Sequence, residues 1–352
     1  MGTKKKVLFF LHSSTGGAER VTVTIGQMLP KEEYEVKYIL VDKIKGNITD
    51  FIPSEYEVQY IHFYNIWLGV TIKIFNCLRK EQPYAVFCSS MSLSARVIMA
   101  AHLLKNIKII IRNCNYFSTN RWDERLICKL TYRFADIIIA QQDEMRDEIL
   151  QEINLSPSKL LVLQNPLDTK TIDEKCNVPS PYEKNNTTKY VWVGRFDKAK
   201  GQDILAKAFI EVARANSYAH LYFVGVYHTN DNFFQKVYRI VIEGGIKDRV
   251  HFIGFDSNPY RWIKYCDCFV LPSRVEGLPN SLIEAQYIGK PAVATTCIPI
   301  ISRIIKNGVT GYTVPSEDCD AMAKAMLKAP ALGSIRMIYQ SASQDDFIRL
   351  FE

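Results

Sequence analysis

Residues 268–285 read CFVLPSRVEGLPNSLIEA. The first four, Cys268–Leu271, are apolar and β-rich, the pattern of a strand buried on both faces. Pro272, Gly277 and Pro279 forbid its continuation and force a turn. From Asn280 the residues favour a helix. Strand, loop and helix in that order make half of a βαβ unit, whose strands run parallel.

The same alternation extends in both directions. Downstream, Ala292–Ala294 and Gly311–Val314 read as strands, and Asp320–Leu327 as a helix. Upstream, Tyr190–Val193, Leu221–Val224 and Val250–Ile253 are strand candidates, with a helix over about 202–216. An earlier series starts with Val7–Leu11, a turn at Ser13–Gly17 and a helix over 18–29. It continues through Val36–Val41, Val58–Ile61, Ala85–Cys88, Ile107–Ile111, Ile137–Ala140 and Leu160–Leu163. Between the two series, residues 169–188 are polar and hold Pro179 and Pro181, which suits a linker. The expected fold is therefore α/β, two doubly wound Rossmann-like domains facing a cleft. Residues 1–168 form the first domain, 169–188 the linker and 189–330 the second. Residues 331–352 are expected to supply a last helix, over Ile335–Phe351, that packs back on the first domain. In such sheets ligands sit beyond the carboxyl ends of the strands.

The chain of 352 residues has room for two cores, and 47% hydrophobic with 23% charged residues excludes a disordered chain. The net charge of +7 is concentrated: Tyr60–Arg133 holds 11 basic and 3 acidic residues. A clustered positive field attracts phosphates and acidic headgroups. Nucleic acid is not the expected partner, because no zinc or RNP-like motif accompanies the cluster. Within it, residues 64–80 carry Trp67, Leu68, Val70, Ile72, Ile74 and Phe75 beside Lys73, Arg79 and Lys80. That segment is either a basic amphipathic helix resting on anionic lipid or an ordinary domain helix. The nine cysteines include no CxxC pair and read as reduced. Five apolar residues between Lys6 and His12 are too few for a signal peptide, and no run approaches a membrane span. A cytoplasmic chain, able to lie on the inner membrane face, is expected.

Three motifs bear chemistry. In the opening stretch, Glu276 falls in the loop and Glu284 in the first helical turn, with the amides of Asn280, Ser281 and Leu282 free to bind an anion. Two hydroxyl-binding carboxylates around a phosphate site suit a nucleotide sugar. Ser281-x-x-Glu284 is equally the spacing of a capping box. The second motif, Val193-Gly194-Arg195-Phe196 with Lys200-Gly201, places two cations in one loop; either could be a solvated surface charge. The third, Ser14-Thr15-Gly16-Gly17, lets backbone approach a ligand at a helix start. It is not GxGxxG, which argues against a dehydrogenase. Asp318-Cys319-Asp320 has the form of a metal motif but reads as a helix cap.

The ordered set Gly16-Gly17-Ala18-Glu19-Arg20, Gly194-Arg195 with Lys200-Gly201, Phe252-Ile253-Gly254-Phe255, Pro272-Ser273, Glu276-x7-Glu284, Gly289-Lys290-Pro291 and Asn307-Gly308-x-Thr310-Gly311 resembles the retaining GT-B enzymes of glycosyltransferase family 4. The likeness spans nearly the whole chain and is densest from Tyr190 to Pro315. It implies that Arg195 and Lys200 hold the donor diphosphate, Glu284 the ribose and Glu276 the transferred sugar. The amides near Asn280, Ser281 and Leu282 would support the phosphates, and Gly194 and Gly225 the donor. Gly16 and Gly17 would line the cleft from the acceptor side. Neither cofactor nor divalent metal is implied. The donor would be a nucleotide sugar, chiefly a UDP-sugar, and the acceptor a glycan, often lipid-linked. Many members carry a histidine after the strand at Ile107–Ile111; here the chain reads Arg112-Asn113, and either residue could orient donor or acceptor. His12 either faces the cleft or is structural. The competing readings are a GT-B epimerase or hydrolase and a non-catalytic nucleotide-sugar-binding protein.

Overall fold

The computed structural model describes residues 3–14, 16–42, 46–62, 67–183 and 186–352, without the side chains of Trp67 and Leu68. Thr15, residues 64–66 of the expected membrane helix, and 184–185 of the expected linker lie outside the described residues. The chain forms two compact units, Met1–Leu167 with Ser341–Glu352, and Asp168–Gln340.

The first unit runs β1 (Lys5–Leu11), α1 (Gly17–Met28), β2 (Tyr34–Asp42), β3 (Glu57–His62), α2 (Trp67–Glu81), β4 (Ala85–Cys88), α3 (Met91–His102), β5 (Lys108–Arg112), α4 (Trp122–Thr131), β6 (Ile137–Ala140), α5 (Asp143–Glu152) and β7 (Leu160–Val162). Its seven strands are parallel, in the order β3-β2-β1-β4-β5-β6-β7. Alternate residues of β1 feed two cores. Leu8 and Phe10 pack with Val70 and Ile74 of α2, Val97 of α3 and Ile149 of α5. Val7, Phe9 and Leu11 pack on the other face with Val21 and Ile25 of α1. Each large side chain so buried contributes about 1.5–3 kcal/mol, which is why a sheet this apolar needs helices on both faces.

The second unit runs α6 (Thr169–Cys176), β8 (Thr188–Val193), α7 (Gln202–Ala215), β9 (Ala219–Val224), α8 (Asn232–Glu243), β10 (Val250–Gly254), α9 (Tyr260–Lys264), β11 (Cys268–Leu271), α10 (Asn280–Tyr287), β12 (Ala292–Thr295), α11 (Ile301–Ile304), β13 (Gly311–Val314) and α12 (Cys319–Lys328). Its six parallel strands are ordered β10-β9-β8-β11-β12-β13. Trp192, Phe209, Phe223 and Val270 centre its core.

Two expectations change. The polar segment 169–188 begins with a helix, α6, because Asp168 caps it through the Thr171 amide at 3.0 Å and Ile172 and Cys176 are buried on one side. Asn258, Lys264 and Tyr265 hydrogen-bond carbonyls of Lys175, Cys176 and Val178, so much of the segment belongs to the second unit. The terminal helix is also shorter than Ile335–Phe351. Ser343 caps α13 (Gln344–Ile348) in a capping box with Asp346, which fixes the start there, and a 3-10 turn follows. Phe347, Leu350 and Phe351 then join the core of the first unit, Phe351 lying 5.8 Å from the Phe9 ring.

Candidate active site

In the second sheet the strand order reverses between β8 and β11. The chain leaves β8 toward β9 on one side and β11 toward β12 on the other. The two loops that follow, 194–201 and 272–279, therefore meet beyond the carboxyl ends, where such sheets bind ligands. They are stitched together. The amides of Arg274 and Val275 donate to the Ala199 carbonyl at 2.7 and 3.2 Å. Gly201 has φ of 69°, and a Cβ there would lie 2.0 Å from the Pro272 carbonyl oxygen, so only glycine fits. Phe196 anchors the first loop among Trp192, Phe223 and Phe234, with ring centroids 5.5–5.6 Å away.

This stitching brings Lys200 and Glu276 into contact. Lys200 Nζ donates to both Glu276 oxygens at 2.8 Å, and Ser273 Oγ donates to Oε1 at 2.7 Å. Glu276 is only 8% exposed. Its charge is felt nearby: burial first, and then repulsion by Glu276, push the Cys297 thiol up to about 11. Arg195 shares the loop of Lys200 but extends into solvent, its side chain 73% exposed and 3.7 Å from Asp197. Gln202 Nε2 holds the Arg195 carbonyl at 3.0 Å, so the backbone is fixed while the guanidinium is not. Gly194 and Gly225 touch: a Cβ on Gly225 would fall 1.6 Å from the Gly194 oxygen.

The helix α10 departs from expectation in three ways. Its N-cap is Pro279, with no side-chain cap, so the capping box of Ser281 and Glu284 is not formed. Glu284 is the fifth residue of the helix, not in its first turn, and accepts from the Tyr260 hydroxyl at 3.2 Å. Two of the three expected anion-binding amides are already used: Asn280 N–H bonds the Leu278 carbonyl and Leu282 N–H that of Pro279, each at 3.0 Å. The tight Leu278–Pro279 turn consumes them. The Ser281 amide has no acceptor among the described residues.

A brace that the sequence reading missed supports the Glu276 loop. Arg274 bonds Asp203 at 2.7 and 3.2 Å, Glu317 at 3.0 Å and the Lys198 carbonyl at 2.8 Å. Lys236 adds a bond to Asp203 at 2.7 Å. Burial alone would raise the Asp203 carboxyl, but Arg274 and Lys236 outweigh it and hold it below its ordinary range. Bonds to Asp203 first, and then to Glu317, raise the Arg274 guanidinium. The available signal was Arg274 lying two residues before Glu276 and Asp203 two residues after Gly201.

In the first sheet the order reverses between β1 and β4. Beyond these strands lies a pocket of about 260 Å3, lined by Glu19, Ser90, Asn113, Cys114 and Glu124 among others. Gly16 caps α1 and Gly17 opens it, so both stand beside this pocket's Ala18 and Glu19. Asn113 reaches the pocket wall, with its carboxamide bonded to the Asn115 carbonyl at 2.6 Å and Tyr132 at 3.3 Å. Arg112, 1% exposed, turns inward to Asn165 and the Cys114 sulfur, and burial pulls its guanidinium below its usual range. Its guanidinium is engaged behind the pocket wall, through Cys114, rather than exposed in the pocket. His12 Nδ1 is shared by the Val41 carbonyl (3.1 Å) and Asp42 (3.2 Å), and Nε2 lies 3.2 Å from the Ser90 hydroxyl. Asp318 caps α12 through the Ala321 amide at 2.8 Å, as a capping aspartate should. Among the described residues, no three His, Cys, Asp or Glu side chains are grouped as metal ligands.

Two family profiles match the chain. The one described as Glycosyl transferases group 1 covers residues 187–330, and Glycosyltransferase Family 4 covers 15–171. The chain belongs to glycosyltransferase family 4. Among relatives of this family 4 enzyme is the Campylobacter jejuni N-acetylgalactosamine-N,N'-diacetylbacillosaminyl-diphospho-undecaprenol 4-alpha-N-acetylgalactosaminyltransferase, 25% identical over 83% of this chain and 80% of that one. Another is the Escherichia coli UDP-Gal:alpha-D-GlcNAc-diphosphoundecaprenol alpha-1,3-galactosyltransferase, 22% identical over 89% and 84%. The structure of Anabaena HepE in complex with UDP and glucose superposes with a TM-score of 0.80, covering 99% of this chain and 96% of HepE at 16% identity. The lipopolysaccharide outer core galactosyltransferase WaaB gives 0.67, at 18% identity over 98% and 94%. The fold of this glycosyltransferase is thus GT-B.

Proposed function

We propose that this glycosyltransferase moves a hexose or N-acetylhexosamine from a UDP-sugar to a lipid-linked glycan, with retention and without a metal, in the assembly of a surface polysaccharide. The observation that carries the reading is the contact of Lys200 with Glu276 at the strand-order reversal of the second sheet. A sugar diphosphate satisfies both groups: its phosphate oxygens take the ammonium, and its sugar hydroxyls donate to the carboxylate that the ammonium leaves. Arg195, exposed in side chain and anchored in backbone, adds a second cation, and the Ser281 amide a neutral donor. As the glycosidic bond breaks, negative charge grows on the leaving phosphate, and donors already aimed there stabilise that charge most. The leaving phosphate takes the acceptor proton, so no separate base is needed. The acceptor class is supported by the Campylobacter and Escherichia relatives, which are named for undecaprenol diphosphate-linked acceptors.

The test incubates the enzyme with UDP-hexoses and a polyprenyl-diphosphate-linked sugar in excess chelator, reading products by mass spectrometry and the new linkage by NMR. The expected result is one added sugar with the donor's anomeric configuration. Nucleotide release that ignores the acceptor would favour the epimerase or hydrolase reading, and an inverted linkage or abolition by chelator would overturn the mechanism.

A further inference from the structure

The outer helices of the first unit carry apolar side chains that its core does not use. On α4, Trp122, Leu126 and Leu130 are all exposed, Trp122 to 76%. They recur every four residues and so form one stripe. Cys128 and Thr131, on the other side of the helix, are the buried ones. α3 packs beside α4 and adds Met99 and Leu103, the latter 73% exposed; α2 packs beside α3 and adds Ile72. Isolated exposed leucines need no explanation, but a tryptophan and five aliphatic side chains on one layer do.

The cations around them indicate what covers the face. Arg121 stands just before α4, Lys129 along it and Arg133 just after it, Lys105 follows α3, and Arg79 and Lys80 lie in the last turn of α2. Asp123 pairs with Arg121 at 3.1 Å, and Glu152 with Arg125 and Lys129 at 3.0 and 2.7 Å. Arg79, Lys80 and Lys105 have no carboxylate partner among the described residues. A tryptophan flanked by leucines and cations is the composition that lies at the headgroup level of an anionic bilayer.

We propose that the outer face of α2, α3 and α4, centred on Trp122, Leu126 and Leu130, docks this enzyme on an anionic lipid bilayer. The start of α4 also supplies Asn120 and Glu124 to the polar pocket. Docking by this face would hold that pocket near the headgroups, where a lipid-diphosphate glycan lies; this last point alone rests on the acceptor proposed above.

The test is flotation of the full chain with vesicles of equal parts phosphatidylglycerol and phosphatidylcholine, and with phosphatidylcholine alone, at low and high salt. The wild type should float with the anionic vesicles, less at high salt, and little with the neutral ones. The triple variant Trp122→Ser, Leu126→Ser, Leu130→Ser should lose about tenfold or more of its binding, with unchanged far-ultraviolet dichroism. A wild type that does not float, or a triple variant that floats as well, overturns the proposal. So does a wild-type dimer that the triple variant turns into a monomer, since a second copy then covers the stripe. Transfer to a water-soluble short-chain acceptor separates the two readings. If it is unchanged in the variant while transfer to vesicle-embedded acceptor falls, docking and acceptor class both stand. If flotation is normal and neither acceptor is used, docking stands and the acceptor class fails.

Discussion

The two sheets reverse strand order in the same way, between β1 and β4 in one and β8 and β11 in the other, yet the sites beyond them differ in charge. In the second unit the reversal point holds a buried carboxylate gripped by an ammonium, with an exposed, loosely paired guanidinium on the same loop. In the first, the nearest guanidinium, Arg112, is turned inward, and the pocket presents hydroxyls, carboxamides and two carboxylates. The shared topology places loops at a crevice; the side chains decide what each crevice can bind. One suits a diphosphate, the other a neutral polyhydroxylated ligand.

The sharpest way to break that contrast is to remove the cations of the second unit. Lys200→Ala and Arg195→Ala should each lower turnover on the order of 10²–10³-fold, by analogy with losing one oxyanion donor. They should differ in stability. Lys200→Ala leaves the Glu276 carboxylate buried with Ser273 as its remaining donor, and should cost about 3 kcal/mol in urea unfolding. Arg195→Ala removes an exposed, loosely paired side chain and should leave stability within about 0.5 kcal/mol. Wild-type turnover in both variants would remove the diphosphate role altogether.

The brace around Asp203 should give the next largest effect. Asp203→Asn keeps the shape but takes the charge from a carboxylate that pairs with Arg274 and Lys236. We expect about 1–3 kcal/mol of destabilisation and a roughly tenfold fall in kcat with little change in KM, because the Glu276 loop is positioned less well while no donor contact is lost. If turnover is unchanged, the brace is structural only.

Much of this was readable beforehand, for reasons that differ by element. Apolar β-branched runs such as Ala85–Cys88, Ile137–Ala140 and Cys268–Leu271 need both faces covered and have no other stable placement, so the strands fall where the pattern puts them. The proximity of Lys200 to Glu276 follows once both sit in loops at the carboxyl ends of strands. The brace was not readable, because Asp203, Lys236, Arg274 and Glu317 are distant in sequence and each alone resembles a solvated charge. Nor was the inward turn of Arg112, whose partner Asn165 lies 53 residues on. The tail misled only at its start: Phe347, Leu350 and Phe351 recur at helical spacing and do lie in α13 and its 3-10 turn, but residues 335–343, before the Ser343 cap, are not helical. The amides of α10 depend on a two-residue turn that composition does not specify.

The smallest expected effect tests the quieter crevice. Burial disfavours charge on His12, but its bond to Asp42 and the charge of that carboxylate outweigh burial, so His12 is raised above its ordinary value. Burial likewise opposes charge on Asp42, but the His12 and Ser13 bonds lower it. A raised histidine contributes stability that is complete below its unfolded value of about 6.5 and fades as pH rises through the folded value. A lowered aspartate contributes above about 3.9 and loses its contribution as pH falls through the folded value. Both contributions coexist between about pH 4 and about pH 6.5. The stability difference between wild type and Asp42→Asn should therefore peak in that window, at about 1 kcal/mol, and shrink toward pH 8 as His12 becomes neutral. Urea unfolding across pH reads it directly. A difference that stays flat from pH 5 to pH 8 would mean that the imidazole is neutral throughout, and the first-unit crevice would then hold no cation in the working range from either His12 or the inward-turned Arg112.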